Sequence, residues 1–237
     1  YNFQIIVCVL KHKIKETEDA IVEKTYQFKL MYKSLKSIQE NQFDVANSMF
    51  SIHFYLKSKS KLETLLSNAS RSLKYKGVFL VTCLDGDLVF NKLKDRESIC
   101  GKINGEKKWR ISKKHFNTND TLSNDPNDPN SFGNKISVSV SSISDEANDE
   151  YLVSPSLLIK MASKYGLTLM DPEKVKYKYK FLESATGNFW NIYKAYNPID
   201  DPYVKILSDD SNKPIANYTK LHRYFIFENN DDVTYPN

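Results

Sequence analysis

Glycine is scarce in this chain: there are seven in 237 residues, and no two are spaced as GxG. A Gly-rich loop that would let backbone approach a bound nucleotide therefore has no candidate within these residues. Cysteine is scarce too. Cys8, Cys83 and Cys100 are odd in number and widely spaced, and two of them sit in apolar runs. They form no CxxC or Cys/His cluster, which argues against a zinc site or a disulfide framework and points to a reducing compartment. No apolar run approaches the roughly 18 residues of a membrane span, and no signal-peptide pattern opens the chain. No Ser/His/Asp or Cys/His arrangement suggests nucleophilic catalysis. The first residue is Tyr1 and not Met, the start expected of a processed, truncated or excerpted chain.

What is present is mostly charge, Asn, Tyr and Ile. The net charge of +5 is compatible with a nucleic-acid partner without requiring one. The length suits one large domain or two small ones. Phe3–Leu10 is a continuous apolar run, the pattern of a buried parallel strand. Lys11–Lys24 reads as a charged helix and Tyr26–Tyr32 as a weak strand. The most informative segment is Phe43–Leu88. There a strand over Phe43–Phe50 leads into Ser51-Ile52-His53-Phe54 as its end. A helix over Ser60–Leu73 follows, with Leu62, Leu65, Leu66, Ala69 and Leu73 on one face. Lys76-Gly77 turns the chain into a second strand, Val78–Leu84. This is a βαβ unit, and such units place ligands at the carboxyl ends of their strands.

Further on, Asp87–Arg96 reads as a short helix. Cys100–Phe116 reads as a basic hairpin containing Trp109, whose lysines could track RNA phosphates. Asn117–Asn130 is a polar, Pro-containing loop, expected to be mobile. Lys135–Ile143 alternates as a strand does. Ser154-Pro155 opens a helix with Ser as its cap, and Gly166 closes it. Leu167–Met170 begins another strand. Val175–Tyr203 is aromatic-rich and irregular, and Leu221–Phe227 is the last strand.

The segment Phe43–Leu88, with His53-Phe54 at one strand end and Asp85-Gly86-Asp87 at the other, resembles mRNA cap guanine-N7 methyltransferase domains. The likeness is greatest to those in the large capping-enzyme subunits of cytoplasmic DNA viruses, and it runs over about Phe43–Phe227. Asp149-Glu150-Tyr151-Leu152-Val153 resembles the family's acidic-aromatic segment, and the last strand resembles one that bears a cap-contacting Tyr. The resemblance implies an α/β fold: a Rossmann-like class I S-adenosylmethionine-dependent methyltransferase sheet with helices on both faces. It implies a single unit over 1–237, with a cofactor-side half at 1–98 and the hairpin, cap-binding segments and final strands at 99–237. The implied activity is methyl transfer from S-adenosylmethionine to N7 of the mRNA cap; the alternative is a non-catalytic RNA-binding or stimulatory module.

By the same resemblance, His53, Phe54, Glu150, His222 and Tyr224 line the guanine pocket. Tyr224 shares a strand face with His222. Met49, Phe50 and Ser51 face the cofactor. Phe54 stands where the family has Tyr, and Met49 where it has Gln. The family's Gly-rich loop is missing, and its two cofactor acids are replaced at Lys11-His12-Lys13 and Phe28-Lys29-Leu30-Met31. Either the first strand lies upstream of Tyr1, or Phe3–Leu10 is that strand with a degenerate loop. Capped mRNA is the implied partner, with further capping-enzyme domains or a partner subunit and no membrane. The implied compartment is the cytoplasm for a viral enzyme and the nucleus for a cellular one.

Overall fold

The computed structural model describes residues 41, 43–118, 120–142, 144–196 and 209–230. The expectations for Phe3–Leu10, Lys11–Lys24 and Tyr26–Tyr32 lie outside them. Strand β1 is Phe43–Met49, and helix α1 is Lys59–Ser72. Strand β2 is Leu73–Leu84, parallel to β1 with Met49 opposite Thr82. The βαβ unit expected from the apolar pattern is therefore present. Leu62, Leu65, Leu66 and Ala69 of α1 are buried, as their spacing requires. Each fully buried Leu contributes about 2 kcal/mol.

The expected strand end at Ser51–Phe54 is instead a 3₁₀ helix, Ile52–Lys57. Phe50 causes the break. Its φ is +49°, a left-handed conformation that ends the strand.

Strand β9, His222–Asn229, lies antiparallel beside β2 and pairs Leu84 with His222. Its other edge carries β7 (Leu167–Leu169) and β8 (Thr186–Asn188) at successive positions. Side chains alternate along the strands and give the sheet two apolar faces. Phe79, Val81, Phe225 and Phe227 meet α1 and α3, the helix Pro155–Ser163, on one face. Val78, Tyr224 and Ile226 meet Val175, Phe189 and Ile192 on the other. These last residues belong to α4 (Pro172–Tyr179) and α5 (Phe189–Tyr196). Helices thus cover both faces.

Two helices occupy the stretch read as irregular. Asp171 caps α4 by accepting from the backbone of Glu173 and Lys174, and Pro172 takes its first turn. Only Val175 of α4 is buried, so no apolar period marks the helix in the sequence.

The second sheet is an antiparallel meander: β3 (Ser98–Ile103), β4 (Glu106–His115), β5 (Lys135–Val140) and β6 (Ser144–Tyr151). Asn104 and Gly105 both take positive φ and make the tight β3–β4 turn. Strand β6 has an acidic, strand-poor sequence and exists because β5 pairs with it. Helix α2, Gly86–Leu93, packs Val89, Phe90 and Leu93 on this sheet.

The 117–130 segment is a loop, and side chains staple its described part. Lys160 reaches Asn124 at 2.6 Å, and Asn117 donates to the Phe132 carbonyl at 2.6 Å. Ser154 does not cap α3 with its side chain. Its hydroxyl instead bonds the Asp87 carboxyl, a group whose pKa burial raises.

Candidate functional site

The carboxyl ends of β1 and β2 converge with the end of β6 and the start of β9. This is where a βαβ sheet leaves room for a ligand. His53 sits in the 3₁₀ helix, with Nδ1 3.7 Å from Glu150 Oε2 of β6. Both side chains are largely buried. His53 Nε2 is buried without a hydrogen-bond partner among the described residues. An orphaned buried polar atom costs about 1–3 kcal/mol, which a bound ligand can restore.

Electrostatics makes this pair a polar contact and not a salt bridge. Burial, then repulsion from His222, lowers the His53 pKa to about 4. Burial raises the Glu150 carboxyl to about 7. Burial also lowers His222 to about 4, against bonds to the backbone of Tyr218 and Thr219. At neutral pH both imidazoles are uncharged, and Glu150 stands between its acid and its carboxylate.

These shifts have opposite effects on stability. The depressed histidines contribute stability above pH 6.5 that is lost as pH falls toward 4. The raised Glu150 contributes stability below pH 4.5 that is lost as pH rises through 7. Between pH 4.5 and 6.5, two histidine protons in the unfolded chain oppose one Glu150 proton in the folded one. This trio should cost about 1.4 kcal/mol of stability per pH unit on acidification. Glu150→Gln should double that slope in urea unfolding across the same range. An unchanged slope would mean that Glu150 is an ordinary carboxylate.

Phenylalanine rings flank the two histidines. Phe54 tilts against His53 at 4.1 Å and is 42% exposed. Phe50 stands edge-on to His222 at 5.4 Å and to Phe189 at 5.8 Å. Its backbone N–H is held by the Thr82 carbonyl at 2.9 Å and the Thr82 hydroxyl at 3.1 Å. A bulky residue in the left-handed region costs about 1–3 kcal/mol, and such strain clusters at ligand sites. Here it turns a 46% exposed ring, beside 52% exposed Met49, onto the strand end.

Of the expected site residues, the structure brings together His53, Phe54, Glu150, His222, Met49 and Phe50. Ser51 and Tyr224 make their side-chain contacts elsewhere. Ser51 is buried with its hydroxyl 2.9 Å from that of Ser48, so it pins the strand end. Tyr224 shares the His222 face, but it lies farther along the strand and packs with Val175 and Leu182. Its hydroxyl donates to the Ser184 carbonyl at 3.0 Å. Trp109, read with the exposed lysines, is buried and lies tilted against Tyr218 of α6, the helix Lys213–Thr219, at 5.2 Å.

Sequence reasoning missed Tyr218 and Phe189. Tyr218 lies 4.7 Å edge-on from His222, and burial, then the nearby Glu150, raises its phenol pKa. No periodicity flags either residue. An aromatic just before a strand or just after a short one is the only local sign.

Asp85 closes the site from behind. It caps α2 through the Leu88 N–H at 3.1 Å and accepts from Arg223 Nε at 2.6 Å. Gly86 next to it has no alternative, because a Cβ there would lie 2.6 Å from the Val153 backbone.

A family profile described as mRNA (guanine-N(7))-methyltransferase domain matches residues 14–191. The "Probable mRNA-capping enzyme" of Acanthamoeba polyphaga mimivirus is 26% identical over 215 residues, 84% of this chain and 18% of that protein. The "mRNA cap guanine-N(7) methyltransferase" of Meyerozyma guilliermondii is 27% identical over 142 residues, 59% of this chain and 22% of that protein. Among solved structures, a putative S-adenosylmethionine dependent methyltransferase from Listeria monocytogenes has TM-score 0.41 at 13% identity, covering 82% of this chain and 65% of that one. The chain spans less than a quarter of the length of either curated relative. Among the described residues no helix is long and apolar enough to cross a membrane. With most of its length matched by that one profile, the chain belongs to the mRNA (guanine-N(7))-methyltransferase domain family.

Proposed function

We propose that this domain transfers the methyl group of S-adenosylmethionine to N7 of the guanine cap of mRNA, as part of a capping enzyme. The observation that carries this is the buried Glu150 carboxyl 3.7 Å from His53 Nδ1, on an imidazole whose Nε2 is orphaned and whose ring Phe54 flanks. A carboxylate is acceptor-only and takes two donors side by side, which is what the N1–H and 2-amino edge of guanine offers. Phe54 supplies a face on which a base can stack. Guanine N7 has a free lone pair, so no general base is needed. The chain's task is to hold the base in line with the methyl group and exclude water.

S-adenosylmethionine supplies an activated methyl on a sulfonium cation. Met49 and Phe50 would hold it, since exposed apolar and aromatic surface suits an onium group and its adenosyl body. Phe50→Gly should leave the unfolding free energy within about 1 kcal/mol, because relieved strain offsets lost packing. The same variant should bind S-adenosylhomocysteine on the order of tenfold more weakly. Equal binding by a folded variant would remove Phe50 from the cofactor site.

A second reading, a non-catalytic methyltransferase-like module that binds RNA or stimulates a partner, is favoured by Lys11-His12-Lys13 and Phe28-Lys29-Leu30-Met31 standing where the family has its two cofactor acids. Calorimetric titration with S-adenosylhomocysteine and with a cap dinucleotide, alongside a methyl-transfer assay on capped RNA, separates the two. The enzyme binds both ligands and turns over. Cap binding without S-adenosylhomocysteine binding or turnover would establish the second reading.

A further inference from the structure

The second sheet has two unlike faces. Ile99, Trp109, Ile111, Ile136 and Val138 point to one side and pack into the core with α2. Strand alternation sends their neighbours to the other side. There Arg110 stands between Cys100 and Ser139, and Ser112 stands between Ser98 and Ser137. None of these is β-branched or aromatic, the types that stabilise a strand face. Small hydroxyl side chains around a cation leave room for a flexible chain to lie on the sheet, and they can bond phosphate oxygens.

Farther along the same face, Lys102 stands directly opposite Lys107 across the antiparallel β3–β4 pair. Like charges so placed repel and weaken the hairpin. Lys102, Lys107 and Arg110 are all exposed, and none has an acidic partner among the described residues. Glu106 and Asp149 are engaged elsewhere, with Lys108 at 2.7 Å and Lys135 at 2.6 Å. Three cations thus share one uncovered face, two of them against their mutual repulsion. An anion laid across them relieves it.

We infer that this face binds the phosphate backbone of the RNA body that follows the cap, with Lys102, Lys107 and Arg110 as its cations. In naming capped RNA the inference rests on the proposed function. Glu150 lies opposite Ile136 on the other face of the same sheet, and β6, which carries it, is the edge strand. Strand rise and spacing put Arg110 about 14 Å from Glu150 along the sheet. A longer RNA passing around that edge reaches the cations, and a cap dinucleotide does not. Trp109 is buried on the opposite side and gives this face no stacking platform. Binding here is therefore a phosphate contact that reads no sequence and weakens with salt.

The test measures binding, at rising salt, of a cap dinucleotide, a capped RNA of about twelve nucleotides and the same RNA uncapped. Wild type should bind the capped RNA on the order of 100-fold more tightly than the dinucleotide at low salt, with a log–log salt slope of about −2 for three phosphates. The triple variant Lys102→Glu, Lys107→Glu, Arg110→Glu should lose that gain and most of the slope, while dinucleotide affinity changes less than about twofold. Lys107→Gln alone should weaken RNA binding on the order of fivefold without lowering the melting temperature, because it relieves the Lys102–Lys107 repulsion. That variant covers the case of a triple variant that does not fold. Capped RNA bound no more tightly than the dinucleotide overturns the inference and leaves the proposed function standing. Unchanged RNA affinity in folded Lys107→Gln also overturns it. Poly-glutamate bound as tightly as RNA would assign the face to an acidic protein segment and overturn it too. Uncapped RNA bound with the same salt slope, beside a dinucleotide that does not bind, would overturn the proposed function and uphold the RNA-binding face.

Discussion

Glu150→Gln should weaken binding of a cap dinucleotide on the order of 100-fold, about 3 kcal/mol, while S-adenosylhomocysteine binding changes less than about twofold. The substitution preserves size and replaces one acceptor oxygen with a donor amide. That amide would face the N–H groups the carboxylate receives, so two hydrogen bonds to a charged group are lost or opposed. Acidity gives an independent signature. Burial holds the Glu150 carboxyl at about 7, so wild-type cap affinity should rise as pH passes through 7, where the carboxylate forms. Glu150→Gln has no such group and should show a flat profile over the same range. Equal loss of both ligands would indicate unfolding or a shared structural role. Loss of neither would remove Glu150 from the guanine pocket.

The second large effect is on stability. Asp85→Ala should lower the unfolding free energy by about 3 kcal/mol. Asp85 is 2% exposed, and its two carboxylate oxygens do different things. One caps α2 through the Leu88 N–H, and the other accepts from Arg223 Nε at 2.6 Å. Its backbone N–H donates to the Leu221 carbonyl at 2.7 Å. Removing the carboxylate uncaps the helix and leaves the Arg223 guanidinium without its buried partner. Arg223 keeps partial access to water, which holds the cost to the lower part of the range for a broken buried pair. Asp85→Asn retains the cap and loses the charge, and should cost about half as much. Urea unfolding of the three proteins decides the matter, and a loss below about 1 kcal/mol for Asp85→Ala would refute the account. Because Arg223 follows His222 directly, the alanine variant should also loosen the site.

The β1–α1–β2 unit was legible in the sequence because the signals for it are local. Apolar runs mark its strands, and the Leu62–Leu65–Leu66–Ala69 spacing marks a helix with one buried face. Helix α3 was legible from Pro155 at its first position, its apolar face and Gly166 beyond its end. The family resemblance singled out His53 and Glu150, and the structure sets them side by side although they are far apart in the chain.

Tertiary structure alone decided the rest. Strand β6 forms against its own propensities because β5 offers it a ladder. Met49 and Ser51 are two residues apart, yet one is exposed and the other buried, because Phe50 breaks the strand alternation between them. Tyr224 has the strand parity of His222, but it lies farther from the strand's start, over the Val175 and Leu182 core. Tyr218 and Phe189 reach His222 from two separate elements, and Trp109 backs Tyr218 from a third, so no window of sequence contains them together. Periodicity reports which face of an element is apolar. Which side chains meet at the end of a sheet depends on how those elements pack, and that is set by contacts between distant parts of the chain.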